Sequence, residues 1–269
     1  MRFFIPLALA AVTLSAAAAE PAPAVALPFT EQRSITSRAI GQQFDLLVRL
    51  PEDYATSGKS YPVLYVLDGW HFPFMAFLAE NNVYSKKMRP VIMVNLSYPV
   101  GVDPMPLRAR DFTPTKATDR EPTSGGAPMF LKFLAEEVIP FVDKTYRTIP
   151  TDRGLLGHSY GGLFALYALA ERPGLFQRIV AASPVVDWDQ RFVFREAREK
   201  LKNLDIPVRL DLSAGDNNEV KAVPEFEELL TEIGTGKLVH RFTGYPGQNH
   251  DSVRTLSFPA GLYWVYAEK

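Results

Sequence analysis

The residues best suited to chemistry stand in Arg153–Gly162, which contains the pattern Gly157-x-Ser159-x-Gly161. This pattern is typical of a nucleophile elbow, a tight strand-to-helix turn that presents a serine hydroxyl above the edge of a sheet. Glycine is needed at such a turn because the backbone passes too close for a side chain. The pattern therefore predicts that Ser159 is a nucleophile. The alternative is a helix-capping serine in a glycine-rich turn.

The segments on either side of Ser159 fit a nucleophile elbow. Residues 153–157 form a short, partly apolar run after the turn-like Ile149–Asp152, as expected for a strand. Gly162–Glu171 is apolar with no broad polar face, which predicts a helix buried against the sheet. Arg172–Gly174 would end that helix.

A serine hydroxyl needs a base to take its proton, and that base is most often a histidine oriented by a carboxylate. Among the four histidines of the chain we favour His250, which lies in a turn-rich loop after the last expected strand. His240 lies inside that strand and is expected to be structural. His158 adjoins the serine and is expected to pack or support, while His71 follows an early strand.

The carboxylate that orients the base should follow the strand that ends at Ser213. The loop from Gly215 to Glu219 holds two candidates, Asp216 and Glu219. We choose Glu219 for its longer reach. Asp216 is the runner-up, because an aspartate this close to a strand end commonly serves the turn itself. Either could instead be a solvated loop carboxylate.

The negatively charged oxygen of an acyl-transfer intermediate needs fixed hydrogen-bond donors. One donor is usually the N–H that follows the nucleophile, which here belongs to Tyr160. The second should come from the loop after an early central strand, which points to the N–H of Trp70, since Gly69 allows a sharp turn. Packing alone is the other interpretation of Trp70.

Composition and charge narrow the class of protein. The chain has 269 residues, 47% hydrophobic and 22% charged, with a formal charge of −1, which suits one domain with a large core. This charge gives no basis for binding nucleic acid or an anionic membrane. Without cysteine, a thiol nucleophile and a disulfide are excluded. The histidines lack paired metal-ligand spacing, so neither a metal nor another cofactor is expected.

The first residues predict export. Met1–Ala19 has a positive start, a short apolar segment and small residues before a cleavage site after Ala19. This segment is too short to anchor the chain across a bilayer. We therefore expect a signal peptide at 1–19, a linker at 20–29, a single domain at 30–269 and a periplasmic or secreted location.

Alternation of apolar and polar runs predicts an α/β fold with a mostly parallel sheet. Two antiparallel strands are expected within Thr30–Leu50, and later strands alternate with helices. The later strands are expected at 61–67, 90–96, 178–183, 208–215 and 237–243. Residues 97–124 hold five prolines and clustered charges, and we expect a long loop there, beside the serine.

Four stretches together resemble one family of esterases. They are Tyr61–Gly69, Phe130–Thr148, the elbow Gly157–Gly162 and Asn249–Ser252. The chain resembles the putative esterase family, which includes esterase D, feruloyl esterases, the antigen 85 mycolyltransferases and siderophore esterases of the enterochelin and bacillibactin type. The resemblance covers nearly all of the expected mature chain. Relatives often continue the loop after Ser183-Pro184 with paired aromatic residues, where this chain has Val185–Trp188.

This resemblance implies an α/β-hydrolase fold, with helices on both faces of the sheet in a three-layer sandwich. It implies that Ser159 and His250 are nucleophile and base and that Tyr160 and Trp70 form the oxyanion hole. Glu219 falls where antigen 85 relatives carry their acid. The implied activity is hydrolysis of a carboxylic ester through an acyl-enzyme.

Small-molecule esters of the siderophore type are the first expectation for the substrate, with Arg108 and Arg110 as contacts for an acidic or catecholate group. Both arginines could instead be surface loop residues. Transfer of the acyl group to an alcohol, as in the mycolyltransferases, would use the same residues. A non-catalytic binding protein on a hydrolase scaffold is the alternative outside enzymes.

Overall fold

The computed structural model of the chain describes residues 26–216 and 222–267. The predicted signal peptide, most of the linker and the predicted acid Glu219 lie outside the described residues. In the described part of the chain, no helix combines the length and the apolar character needed to cross a membrane.

One mixed sheet organises the described residues. Its strands are Thr30–Thr36 (β1), Gln43–Arg49 (β2), Tyr61–Val66 (β3), Ile92–Ser97 (β4), Thr148–His158 (β5), Arg178–Ala182 (β6), Val208–Ala214 (β7) and Leu238–Gly244 (β8). They lie in the order β1-β2-β4-β3-β5-β6-β7-β8. β2 pairs antiparallel with β1 and β4, and the other neighbours pair parallel. The predicted antiparallel pair and mostly parallel sheet are confirmed.

The burial of the strands follows from their sequence. Every residue of β3 is buried, as a continuous apolar run in the interior of a parallel sheet requires. β1, at one edge, leaves most of its polar side chains partly or fully exposed. The positive φ of Gly41, 75°, lets the chain turn between β1 and β2.

Helices cover both faces of the sheet. They are Tyr54–Ser57 (α1), Phe72–Ser85 (α2), Pro104–Phe112 (α3), Ala127–Phe133 (α4), Ile139–Thr145 (α5), Tyr160–Glu171 (α6), Trp188–Lys200 (α7), Ala222–Ile233 (α8) and Arg254–Val265 (α9). α2 and α9 pack on one face, through residues such as Met75 and Phe258. α3 to α8 pack on the other, through residues such as Phe112, Leu163 and Phe226. The three-layer arrangement is confirmed.

The predicted long loop at 97–124 contains a helix, so that prediction was wrong for α3. Pro104 opens α3, where its missing N–H costs nothing because the first N–H groups of a helix have no partner within the helix. The Asp103 carboxylate caps this end by accepting the Met105 N–H at 3.0 Å. The proline content indicated a loop, whereas this position of proline starts a helix.

A π-helical turn at Leu134–Val138 lies between α4 and α5. Pro140 follows this turn and has no N–H to donate to the helix. The wider turn accommodates the proline within a continuous helical path.

The sheet topology brings the chemically active segments to one edge. The chain leaves β3 at Asp68, β5 at Ser159, β7 at Gly215 and β8 before His250. Because these strands are parallel, all four exits lie at the same carboxyl edge, where ligands bind in open α/β sheets. The opposite, amino edge is formed by the starts of the same strands.

Candidate active site

Ser159 occupies a strained turn between β5 and α6. Its φ is 61° and its ψ is −120°, a conformation that costs a residue with a side chain about 1–3 kcal/mol. The turn is held by hydrogen bonds: the Ser159 N–H donates to the Ala182 carbonyl at 3.0 Å, and the Ser159 carbonyl accepts the Leu163 N–H at 2.9 Å. The predicted strand–turn–helix context of the serine is confirmed.

Glycines make this turn sterically feasible. A Cβ added to Gly157 would overlap the carbonyl group of Gly161, where the backbone folds back on itself. A Cβ on Gly162 would lie 3.0 Å from Cα of Pro184, in the loop after β6. The glycines at 157 and 162 therefore allow α6 to begin directly against the ends of β5 and β6.

The loop that carries His250 lies against the elbow. Nε2 of His158 is 2.7 Å from the His250 carbonyl oxygen, and the centroids of the two imidazole rings are 4.6 Å apart. Asn249 shapes this loop, since its side-chain oxygen accepts the N–H groups of Asp251 and Ser252 at 3.0 and 2.8 Å. The loop of the expected base thus lies against His158, the residue that precedes Ser159.

The loop after β7 is tied to the His250 loop through backbone contacts. A Cβ on Gly215 would overlap the carbonyl of Gln248, and the Asp216 N–H donates to that same carbonyl at 2.8 Å. The Asp216 carboxylate accepts the Gly247 N–H. The Asp216 carboxylate therefore joins its loop to the loop of His250, a contact outside its own turn, and it is exposed.

The turn predicted to supply the second oxyanion donor follows β3 directly. Asp68 has a φ of 66°, and Gly69–His71 form a short 3₁₀ turn. The N–H groups of His71 and Phe72 donate to the carbonyls of Asp68 and Gly69, so these two bonds do not use the Trp70 N–H. A Cβ on Gly69 would overlap the Ser97 side chain. The turn is therefore pressed against the end of β4.

Arg108 joins this turn to the elbow. Its Nε and an Nη contact the two oxygens of the buried Asp68 carboxylate at 2.9 and 3.0 Å, and it also donates to the His158 carbonyl at 3.4 Å. The guanidinium carbon lies 5.4 and 5.6 Å from the centroids of the Trp70 and Tyr160 rings. Trp70 and Tyr160, the two expected oxyanion donors, therefore flank one buried cation.

The structure gives both predicted substrate-binding arginines partners within the chain. Arg108 is 5% exposed and is engaged by Asp68. Arg110, two residues further along α3, contacts Asp111 at 2.7 Å and Gln42 at 2.8 Å. This arrangement makes Arg108 a support of the site, and we do not retain either arginine as a substrate contact.

Comparison with known proteins identifies the family. A profile of the family described as "Putative esterase" matches residues 37–223. The chain belongs to this esterase family. The chain is accordingly a carboxylic ester hydrolase of the serine esterase type.

Named relatives resemble the esterase over most of its length. Ferri-bacillibactin esterase BesA of Bacillus subtilis is 26% identical over 256 residues, 86% of this chain and 87% of the relative. Siderophore enterobactin esterase of Emericella nidulans is 36% identical over 195 residues, 65% of this chain and 64% of the relative. The solved BES protein from Bacillus cereus has a TM-score of 0.84 at 27% identity, covering 92% of this chain and 98% of that one. The predicted α/β-hydrolase fold is confirmed.

Aromatic residues form one wall beside the elbow of the esterase. The Tyr160 ring packs edge-on against Trp188, with centroids 5.6 Å apart, and its hydroxyl donates to Glu121 at 3.1 Å. Burial and the nearby Glu121 raise the pKa of Tyr160 to about 12, so its hydroxyl stays protonated. The Trp188 indole N–H donates to Thr115 at 3.1 Å. The loop of residues 113–126 thus contacts Tyr160 through Glu121 and Trp188 through Thr115.

A cavity lies beside the Gly69–His71 turn. It has a volume of about 290 Å³, and its lining includes Trp70, Tyr98, Val100 and Val102. Trp70 is 44% exposed and Val100 is 98% exposed, so the cavity has an apolar, accessible rim. It offers space for an apolar part of an ester next to the expected oxyanion donors.

Two buried histidines, His71 and His158, lie beneath the candidate site in their neutral form. Burial, with a smaller contribution from the charge of Arg254, lowers the pKa of His71 to about 3 and that of His158 to about 2. The His71 ring packs edge-on against Phe258, with centroids 5.1 Å apart, and its Nε2 is buried without a hydrogen-bond partner. The sequence signalled neither this cluster nor the Arg108–Asp68 pair, because each joins distant segments.

We expect Gly157→Ala to abolish most esterase activity and to destabilise the fold, because the added methyl group displaces the Gly161 carbonyl beneath Ser159. The measurements are turnover of an activated ester and the free energy of unfolding in urea. Gly236→Ala is the matched control, since nothing lies within 4 Å of a Cβ there. Equal activity in the two variants would contradict the steric role of Gly157.

We expect His71→Leu to reduce the acid sensitivity of folding. The folded pKa of His71 is below its unfolded value, so only the unfolded chain takes up a proton between pH 6.5 and about 3, and stability falls as pH falls through this range. The variant should lose about 1 kcal/mol less per pH unit near pH 5. Urea unfolding at several pH values measures this slope. Identical slopes in wild type and variant would contradict a lowered pKa of His71 in the folded protein.

Proposed function

We propose that this esterase cleaves carboxylic esters of the siderophore type by a serine mechanism, with Ser159 as nucleophile, His250 as base and Glu219 as the acid that orients the base. The observation that carries the proposal is the contact between the strained Ser159 elbow and the loop of His250. A serine hydroxyl is activated for acyl transfer by a histidine within hydrogen-bond reach, and this contact supports such a position for His250.

The chemistry follows from these positions. Oγ of Ser159 forms a bond to the ester carbonyl carbon while His250 takes the hydroxyl proton. The carbonyl oxygen becomes an oxyanion that accepts the N–H groups of Tyr160 and Trp70. The C–O bond to the alcohol then breaks, and His250 returns the proton to the leaving alkoxide. Water, activated by the same histidine, attacks the acyl-enzyme and releases the acid and free Ser159.

The two proposed oxyanion donors have support in the local backbone. Tyr160 opens α6, and the first N–H groups of a helix lack acceptors within the helix. The positive end of the α6 dipole also lies where the negative charge develops. The Trp70 turn packs against the start of α6, since a Cβ on Gly161 would lie 3.6 Å from an Asp68 carboxylate oxygen.

The substrate class is supported by two relatives that are named for the bacillibactin and enterobactin types of siderophore. The surroundings of Ser159 suit a bulky, ring-bearing ester. Trp70 presents an accessible aromatic face on one side, and Tyr160 with Trp188 forms the aromatic wall on the other. Arg120 lies over Trp188 at 5.3 Å and is half-exposed, and its only ion pair among the described residues is a long contact of 3.6 Å with the half-exposed Asp187, which an acidic substituent could replace. We further propose export, after removal of residues 1–19.

Labelling of Ser159 tests the mechanism. We expect an organophosphonate probe to add one adduct to the wild-type protein, seen by intact mass, and Ser159→Ala to remove both the adduct and ester turnover. His250→Ala should slow labelling and turnover by several orders of magnitude, because the serine loses its base. Ser213→Ala is the matched control: its hydroxyl is buried at the end of β7 without a hydrogen-bond partner.

The substrate proposal needs a product analysis. A trilactone siderophore of the enterobactin type should be opened to its linear acid with a kcat/KM above that of simple p-nitrophenyl esters. Mass spectrometry of the products, with glycerol present as a competing alcohol, separates hydrolysis from acyl transfer. A labelled serine without trilactone opening would overturn the substrate class and keep the mechanism, whereas the absence of an adduct would overturn both.

Substitution of each candidate acid in turn decides which carboxylate orients His250. We expect Glu219→Gln to lower kcat by roughly 10²–10⁴-fold, because the imidazolium formed during the reaction loses its carboxylate. Asp216→Asn should cost much less, since that carboxylate accepts the Gly247 N–H and an amide oxygen can replace it. Steady-state kinetics of both variants give the comparison, and the reverse order would make Asp216 the acid.

A further inference from the structure

A large cleft lies at the amino edge of the sheet, opposite the candidate active site. Its volume is about 740 Å³. Arg178 and Arg209 stand at the starts of β6 and β7, and Lys237 directly precedes β8. The full length of the parallel strands separates these residues from Ser159. The cleft is therefore a separate site with no part in the ester chemistry.

Positive charge dominates this cleft. Arg89, Arg178, Arg209 and Lys237 line it, and none of its described lining residues is acidic. The nearest compensation is Asp152, whose two oxygens are shared between Arg178, at 2.6 and 3.2 Å, and Arg89. One carboxylate thus serves two of the four cations, and Arg209 and Lys237 form no ion pair with a carboxylate of the residues that the structure describes.

The register of the sheet puts two of these cations side by side. Arg178 in β6 pairs with Arg209 in β7. Like charges on neighbouring strands repel each other. Arg178 is neutralised by Asp152, and the next arginine along, Arg241 in β8, contacts Asp211. Arg209, between them, has no such carboxylate among the described residues.

The Arg209 guanidinium is built into the cleft. It stacks on the indole of Trp264 in α9, with its central carbon 4.5 Å from the ring centroid, and its Nε is buried without a hydrogen-bond partner. Burial lowers the pKa of Arg209, and the charges of Arg178 and Arg241 lower it further. A buried, unpaired donor on a charged group is costly, so an anion placed against Arg209 is stabilised.

We propose that this cleft binds a small molecule with a multivalent oxyanion, a phosphate or polycarboxylate group, with Arg209 as its main ligand and Arg178 and Lys237 beside it. A guanidinium held against an indole ring presents a fork of donors that matches the geometry of such oxyanions. The side chains of Pro207, Val239 and Tyr266 provide apolar walls for the rest of the ligand.

A neighbouring cleft supports a positive potential along this edge. It shares Arg89 with the first cleft and also holds Lys86, Lys87 and Arg49, against Glu52 and Asp53. Arg49 is 4% exposed, and no described carboxylate forms an ion pair with it. The excess of cations therefore continues beyond Arg209, which favours an approaching anion over a neutral ligand.

Binding of two simple probes tests the proposal. Inorganic phosphate and citrate are titrated separately by calorimetry and thermal shift at fixed ionic strength, with the protein first blocked at Ser159 by the phosphonate probe. We expect saturable binding of at least one probe, at one site, and at least tenfold weaker binding by Arg209→Gln. Phosphate alone would indicate a phosphate ligand, and citrate alone a polycarboxylate.

Matched variants keep the test decisive. Arg198→Gln removes an exposed arginine that is paired with Glu232 away from the cleft, and it should bind like wild type. Lys237→Gln changes an exposed residue, so it remains informative if Arg209→Gln fails to fold, and it should weaken binding about threefold. Ester turnover should be unchanged in all three variants. Absence of saturable binding, or equal binding by the Arg209 and Arg198 variants, would overturn the proposal.

Discussion

The buried ion pair between Asp68 and Arg108 is the contact on which the geometry of the site depends. It joins the end of β3, the helix α3 and, through the His158 carbonyl, the end of β5. Burial raises the pKa of the Asp68 carboxyl, and the guanidinium opposes that shift. Removing one partner of such a pair leaves an uncompensated charge and costs about 3–5 kcal/mol. The turns of Trp70 and Ser159 are thereby fixed relative to each other.

The sequence was informative wherever a feature is local. Three short stretches predicted their own backbone: the glycines around Ser159, the apolar run of β3 and the turn residues before His250. The structure has the expected turn, strand or loop at each of them. Long-range pairings were not predictable in this way. Arg108 and Asp68 are 40 positions apart, and nothing near Arg108 in the sequence indicates that its partner is buried. Substrate binding by Arg108 was expected of a loop arginine, whereas the structure has Arg108 on α3, buried and paired with Asp68.

The two edges of the sheet differ in electrostatic character. At the carboxyl edge, His71 and His158 are buried and neutral, and the cation of Arg108 is matched by Asp68. At the amino edge, cations outnumber carboxylates, and Arg209 is held on Trp264 without an acidic partner. A chain with a formal charge of −1 thus separates its charge between two faces of one domain.

The candidate site is assembled from segments that lie far apart in the chain, so it forms only when the whole sheet has folded. Asp68, Ser159 and His250 come from strands spread along the chain, and the contact between His158 and His250 spans 92 positions. Contacts of such separation form late in folding, because loop closure must precede the interactions that reward it. During synthesis Ser159 therefore emerges long before His250. On the proposed mechanism, ester cleavage requires that β8 and its following loop have docked against the turn of Ser159.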